Sequence, residues 1–203
     1  MQIPVSTLNE AAAYKLQTGL VVPRPIAWVM TRSTTNVINV APFSAFMFVS
    51  SWPPLPAISC NRRDGTMKDT ERNIRDLGEF VINIADDSMI EPLHLSSADD
   101  PPEASEVTDL GLALADSVDV DVPRLADVPA SMECRLHKIV PFGDIGHHLI
   151  VGQVVRYHIR DDLYVDGKVE TAKLRPIGRL GGIKYTSLGE IITMQSVGNR
   201  SGS

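Results

Sequence analysis

Hydrophobic and polar positions change period several times along the chain, and each change marks an element. From Thr7 to Thr18 the run TLNEAAAYKLQT has helical spacing, with Thr7 placed to cap it, Glu10 three residues on and Gly19 following as a stop. Pro23-Arg24-Pro25 excludes helix, and IAWVMT after it is a β-rich run that RSTTN separates from a second, VINVAPFSAFMFVS. The two runs predict a hairpin with Asn36 in its turn, where a positive φ is often required and Asn tolerates it. Ser51-Trp52-Pro53-Pro54 breaks the chain, and LPAISC reads as a further strand. From Thr70, TERNIRDLGEF sets Ile74 and Leu77 on one face and stops at Gly78, a short helix feeding the strand EFVINIA.

The second half repeats this economy of helix. Residues 87–97, DSMIEPLHLSS, are weakly helical despite Pro92, and DDPPEASEV reads as a mobile surface turn. The stretch ASMECRLHKIVPFGDIGHHLIVGQVVRYHIRD predicts two long strands joined near Phe142 to Ile145, with Gly143 suited to the turn. Six or more strands, many adjacent in sequence, with helices too few for repeated βαβ units, make the fold class mainly β: an antiparallel barrel with peripheral helices rather than a doubly wound sheet. The organisation expected is an N-terminal helical segment (1–19), one barrel domain (20–190) and a flexible C-terminal tail (191–203).

Composition narrows the classes. At 203 residues, 43% hydrophobic and 22% charged, the chain is that of an ordinary globular domain, and no run approaches the ~20 apolar residues of a membrane helix. The start lacks the basic-then-apolar pattern of a secretory leader, so a cytoplasmic location is expected. A net charge of -6, with scattered basic residues, argues against a nucleic-acid face. Cys60 and Cys134 show no metal-ligand spacing and read as buried reduced thiols.

One segment carries candidate chemistry. Between Ser59 and Asn73 a strand end, Arg62, Arg63, a Gly, Lys68 and a helix start fall together. Asp69 or Thr70 can cap that helix, while its first-turn N–H groups and the three cations suit a phosphate monoester. A solvated helix start with surface arginines fits the same spacing, and no P-loop or GxGxxG accompanies it. His147 and His148 are adjacent on a strand and point to opposite faces, so they do not converge on one metal ion. For His94, His137 and His158 a satisfied polar contact is expected. Arg179 and Tyr185, in GRLGGIKY, fit either a ligand contact across a dimer or a tight turn covered by an aromatic.

The stretches PRPIAWVMT, NVINVAPFSAF, SWPP, MKDTERNI, GEFVINIA, SEV with LGL, VPASMEC, HLIVGQVV and GRLGGIKY, in that order, resemble the flavin-reductase-like domain family of flavin reductases and flavoredoxins. The resemblance covers most of residues 20–187 and implies an FMN-binding split barrel that dimerises with flavin near the subunit interface. Carried over by position, it implies that Asn39, Ala41, Pro42, Phe43 and Ser44 lie along the isoalloxazine and ribityl part. It implies further that Cys60, Asn61, Arg62 and Arg63 lead toward the phosphate, and that Lys68, Asp69 and Thr70 close around it. Asn36 stands where many relatives have Gly, and both tolerate left-handed backbone.

The activity implied is NAD(P)H-dependent flavin reduction, in which NADH or NADPH is a transient donor and hydride passes to flavin N5. Such chemistry belongs to the cofactor and requires no acid/base pair from the protein. A flavoredoxin-like electron carrier acting with a protein partner is the alternative, and a flavin binder without turnover a third. A monooxygenase or other electron-transfer partner is compatible with either redox reading. Aromatic and Pro-rich segments such as Ser51 to Pro54 suit a homodimer contact.

Overall fold

A computed structural model of the chain describes residues 1–62, 65–98, 101 and 104–196. The expectations for Arg63, for most of the turn at 99–103 and for residues 197–203 of the tail lie outside the described residues.

Seven strands form the main sheet: β1 Ala27–Arg32, β2 Ile38–Phe43, β3 Phe46–Ser50, β4 Leu55–Cys60, β5 Glu79–Ile84, β6 Ala130–Phe142 and β7 His147–Ile159. Every neighbour is antiparallel, in the order β2-β1-β5-β6-β7-β4-β3. The two edges, β2 and β3, follow one another in the chain with only Ser44 and Ala45 between them. Two residues span at most about 7 Å, so the sheet curls until its edges meet. Ser59 N–H donates to the Ala45 carbonyl at 2.8 Å, and β2 lies against β4. The run VINVAPFSAFMFVS is thus two strands on opposite edges rather than one, because the chain turns at Ser44.

Alternation along the strands fills the barrel. Ala27, Val29, Phe43, Ile58, Cys60, Phe80, Ile82, Cys134, Ile150 and Val154 point inward, each worth roughly 1.5–3 kcal/mol for the larger side chains. Phe80 reaches across to Gly152, where an added Cβ would stand 2.3 Å from its Cζ; glycine is needed there for space. The outer face of β1 is also covered: Trp28, Met30, Val40 and Val81 pack beneath Leu93, Val107, Val122 and Leu125. Burial on both faces explains why IAWVMT is continuously apolar instead of alternating. Trp28 donates its indole N–H to Ser96 Oγ at 2.8 Å.

Five α-helices occur among the described residues: α1 Glu10–Leu20, α2 Asp69–Leu77, α3 Ile90–Leu95, α4 Glu106–Asp109 and α5 Thr171–Leu174. Two of their ends differ from expectation. Thr7 does not cap α1; its hydroxyl donates to the Pro4 carbonyl, and Asn9 caps instead, accepting from Ala12 N–H at 2.9 Å. Gly19 does not stop α1, which runs on to Leu20, since Gly is tolerated inside the last turn. Gly78, by contrast, ends α2 in left-handed geometry at φ 72°. The expected turn residues hold: Asn36 has φ 66° and Gly143 φ 64°. Both cysteines are free and buried. Among the described residues no helix is long and apolar enough to cross a membrane.

Short strands Arg24–Pro25, Gly178–Arg179 and Tyr185–Thr186 form a three-stranded ribbon beside the barrel. Its turn closes through Leu180 N–H to the Lys184 carbonyl at 2.9 Å. Arg179 folds back onto the Gly182 carbonyl and lies over the Tyr185 ring at 4.6 Å. This is the tight turn covered by an aromatic. Tyr185 Oη also meets His94 Nδ1 at 3.0 Å.

Candidate functional site

The polar end of the barrel lies where β4 runs out at Cys60 and α2 begins. The N-cap of α2 is Lys68, which makes no side-chain cap, and neither Asp69 nor Thr70 performs that role. The physical reason is that both have other partners. Asp69 binds Arg72 one turn on, and Thr70 is buried with its hydroxyl donating to Asn39 Oδ1 at 3.2 Å. Among the described residues no side chain therefore occupies the first-turn N–H groups of α2, and the positive end of its dipole lies beside Lys68.

Behind this helix start is a buried polar network. Asn39 Nδ2 donates to Glu106 Oε1 at 2.8 Å, and the backbone N–H of Val40 donates to Glu106 Oε2 at 3.2 Å. Asn73 Nδ2 donates to Thr31 Oγ1 at 3.1 Å. The network clamps α2 and α4 onto β1 and β2 and fixes the direction in which α2 points. Burying so many polar groups is tolerable only because they bond one another.

Glu71, in the same first turn, is fully buried. Its Oε1 receives Arg75 Nε at 2.8 Å and lies 2.8 Å from His148 Nδ1. His148 stands opposite Cys60 in the β4–β7 ladder, which brings the second hairpin up to α2. Burial pushes the Cys60 thiol up to about 12, the Glu71 charge adding and Lys68 opposing, so this sulfur stays protonated and is no nucleophile. Above the pair is an open depression of about 470 Å³ lined by Arg62, Gly65, Asp144, Ile145, Gly146 and His148.

The structure sorts the residues expected at the site. Arg62 and Asn61 are exposed and Lys68 half-buried at the mouth; Pro42 and Ser44 are half-buried on the β2 edge and the break after it. Pro42, lacking an N–H, sits where an edge strand permits it. The side chains of Phe43 and Cys60 point into the barrel core and Ala41 packs against it, so these three offer an outside ligand their backbone alone. Asn39 and Thr70 give their side chains to the network. Among the described residues no cluster of three His, Cys, Asp or Glu comes together.

Several residues of the site escape sequence reasoning. Glu71 and Arg75 are spaced i,i+4, a pattern that reads as a surface pair. Glu106 lies in SEV, and nothing in that stretch signals a carboxylate aimed at β2. Arg24 carries no signal beyond its place between two prolines, yet its guanidinium joins three segments, as described below.

Comparison with known proteins agrees with this architecture. The family model described as "Flavin reductase like domain" matches residues 19–173. The uncharacterized protein BH2278 of Halalkalibacterium halodurans is 40% identical, over 96% of this chain and 95% of its own. Among solved structures, nitrilotriacetate monooxygenase component B from Bacillus cereus superposes with a TM-score of 0.93 at 36% identity, covering 96% of this chain and 98% of that one. The 2-nitrobenzoate 2-nitroreductase NbaA of Pseudomonas fluorescens gives 0.89 at 33% identity, with 98% of each chain covered. With a split-barrel sheet, an open helix start at its polar end and a family match over most of its length, the chain belongs to the flavin reductase-like domain family.

Proposed function

We propose that the chain binds FMN and acts as an NAD(P)H-dependent flavin reductase. The observation that carries this reading is the start of α2, where the N-cap residue Lys68 makes no side-chain cap, together with Arg62 in the depression that His148 also lines. A helix of nine residues whose first-turn N–H groups meet no side chain among the described residues, with Lys68 at its N-cap, is matched to a phosphate monoester. In this reading Lys68, Arg62 and the N–H groups of Asp69 and Thr70 hold the phosphate, with Asn61 and the Cys60 backbone leading to it. The rings lie along β2, against the backbone from Asn39 to Phe43, Pro42 and the Ser44 hydroxyl. FMN, when bound, supplies the hydride-accepting chemistry. The chain's own part is to hold the rings flat against a rigid strand and leave one face open to a nicotinamide.

A homodimer accompanies the proposal. Edge strand β3 and the turn after it expose Phe48 at 80% and Trp52 at 87%, and α1 buries none of its residues. Apolar exposure of this kind suits a protein partner, and a second copy is the occupant the family resemblance supports. The Bacillus cereus neighbour is a monooxygenase component, which supports a role in which reduced flavin serves a partner enzyme.

The test is steady-state reduction of added FMN by NADH and by NADPH with the purified protein, together with its mass in solution. Turnover with either nucleotide by a dimer is expected. A protein that keeps its flavin and ignores both nucleotides is an electron carrier instead, and one that takes up no flavin overturns the reading.

A further inference from the structure

We propose that Arg24 is a positioning residue that fixes the Ser44 hydroxyl as a hydrogen-bond donor to the flavin ring system. The inference rests on the flavin reading above and adds to it a residue lying outside the ring wall and the phosphate grip.

The guanidinium of Arg24 is held from several sides. Nη1 donates to the carbonyls of Thr18 at 2.7 Å and Val21 at 2.8 Å, and Nη2 to the Leu180 carbonyl at 3.0 Å. One side chain thus ties the end of α1 to the ribbon turn, and its plane is set by three backbone oxygens. Of its two remaining donors, Nε–H meets Ser44 Oγ at 3.4 Å. Ser44 is in the two-residue break where the barrel edges meet, half-buried at the end of the proposed ring wall.

The polarity of that contact has a consequence. Arg has donors only, so Ser44 Oγ must accept, and its own proton is directed elsewhere. Among the described residues no hydrogen bond uses that proton. A serine held in this way by an always-charged group is a donor waiting for an acceptor, and the isoalloxazine pyrimidine edge presents several. Reduction places negative charge on that edge, so a donor backed by a guanidinium favours the reduced flavin over the oxidised one. Arg24 thereby acts through Ser44 without touching the cofactor.

The experiment is a double-mutant cycle with Ser44→Ala and Arg24→Lys, reading FMN affinity and the midpoint potential by dithionite titration against a reference dye. Lysine can still reach the backbone carbonyls but has no donor at the Nε position. Each single variant should weaken FMN about three- to tenfold, the worth of one net hydrogen bond, and move the potential to a more negative value. The double variant should be no worse than either single one, and Ser44→Thr, which keeps the hydroxyl, should restore both readouts. If Arg24→Lys does not fold, Ser44→Ala and Ser44→Thr still test whether the hydroxyl sets the potential. An unchanged potential in Ser44→Ala, additive losses in the cycle, or a lowered melting temperature in Arg24→Lys with native potential would overturn the inference. A wild-type protein that binds no FMN would instead overturn the proposed function.

Discussion

The middle of the barrel and its polar end are built on opposite terms. In the middle, Phe80, Ile82, Ile150 and their neighbours are positioned by strand alternation and stabilise by removing apolar area from water. At the end, Asn39, Thr31, Thr70, Asn73 and Glu106 are also buried but gain little from burial itself; they are held by mutual hydrogen bonds that fix geometry, while Glu71 beside them is held by Arg75. The contrast separates what makes this chain fold from what aims α2. Stability resides mainly in the first region, and the proposed placement of the phosphate depends on the second.

That division can be broken experimentally. Phe80→Ala should be the most damaging change, costing about 3–5 kcal/mol because the cavity it opens lies across from Gly152. The reverse insult, Gly152→Ala, should cost about 1–3 kcal/mol by overpacking, and Phe80→Leu in the same chain should recover part of it. Chemical denaturation measures all three, and additivity of the last pair would contradict the stated contact. Asn39→Ala should cost about 2 kcal/mol by stranding buried partners. It should weaken FMN more than Gly152→Ala does at equal stability, as flavin fluorescence titration would show.

A smaller effect concerns pH. Burial alone would raise the Glu133 carboxyl, but His158 and the backbone N–H groups of Val118 and Asp119 outweigh it and hold the group below its ordinary value near 4.5. With a depressed folded value the stabilisation is full above the ordinary value and is lost as pH falls from there through the folded one. Glu133→Gln should accordingly flatten the decline of thermal stability below about pH 4.5 and leave its shape near neutrality unchanged. An identical acid limb in both proteins would show that the carboxylate is not responsible.

The same division governs what is legible in the sequence. Strand runs, both hairpins, Asn36, Gly78 and Gly143 can be read because alternation and turn chemistry are local. The break at Ser44 cannot, since nothing in APFSAF marks two edges of one curled sheet. Capping is only half legible: Asp69 and Thr70 are good capping residues, yet tertiary partners claim both. The i,i+4 pair of Glu71 and Arg75 looks like solvated charge until His148 arrives from a strand far along the chain. The family resemblance marks Asn39, Cys60 and Thr70 as site positions, and the structure places their side chains in the core or the network.

The account's central claim is that the open start of α2 grips a terminal phosphate. Comparing the dissociation constants of FMN and riboflavin in the wild type and in an Arg62→Ala/Lys68→Ala variant tests it most directly. A preference of the wild type for FMN that falls at least tenfold in the variant, with riboflavin nearly unaffected, is the expected result. Equal weakening of both flavins, or no preference to begin with, would contradict the claim and place the phosphate elsewhere.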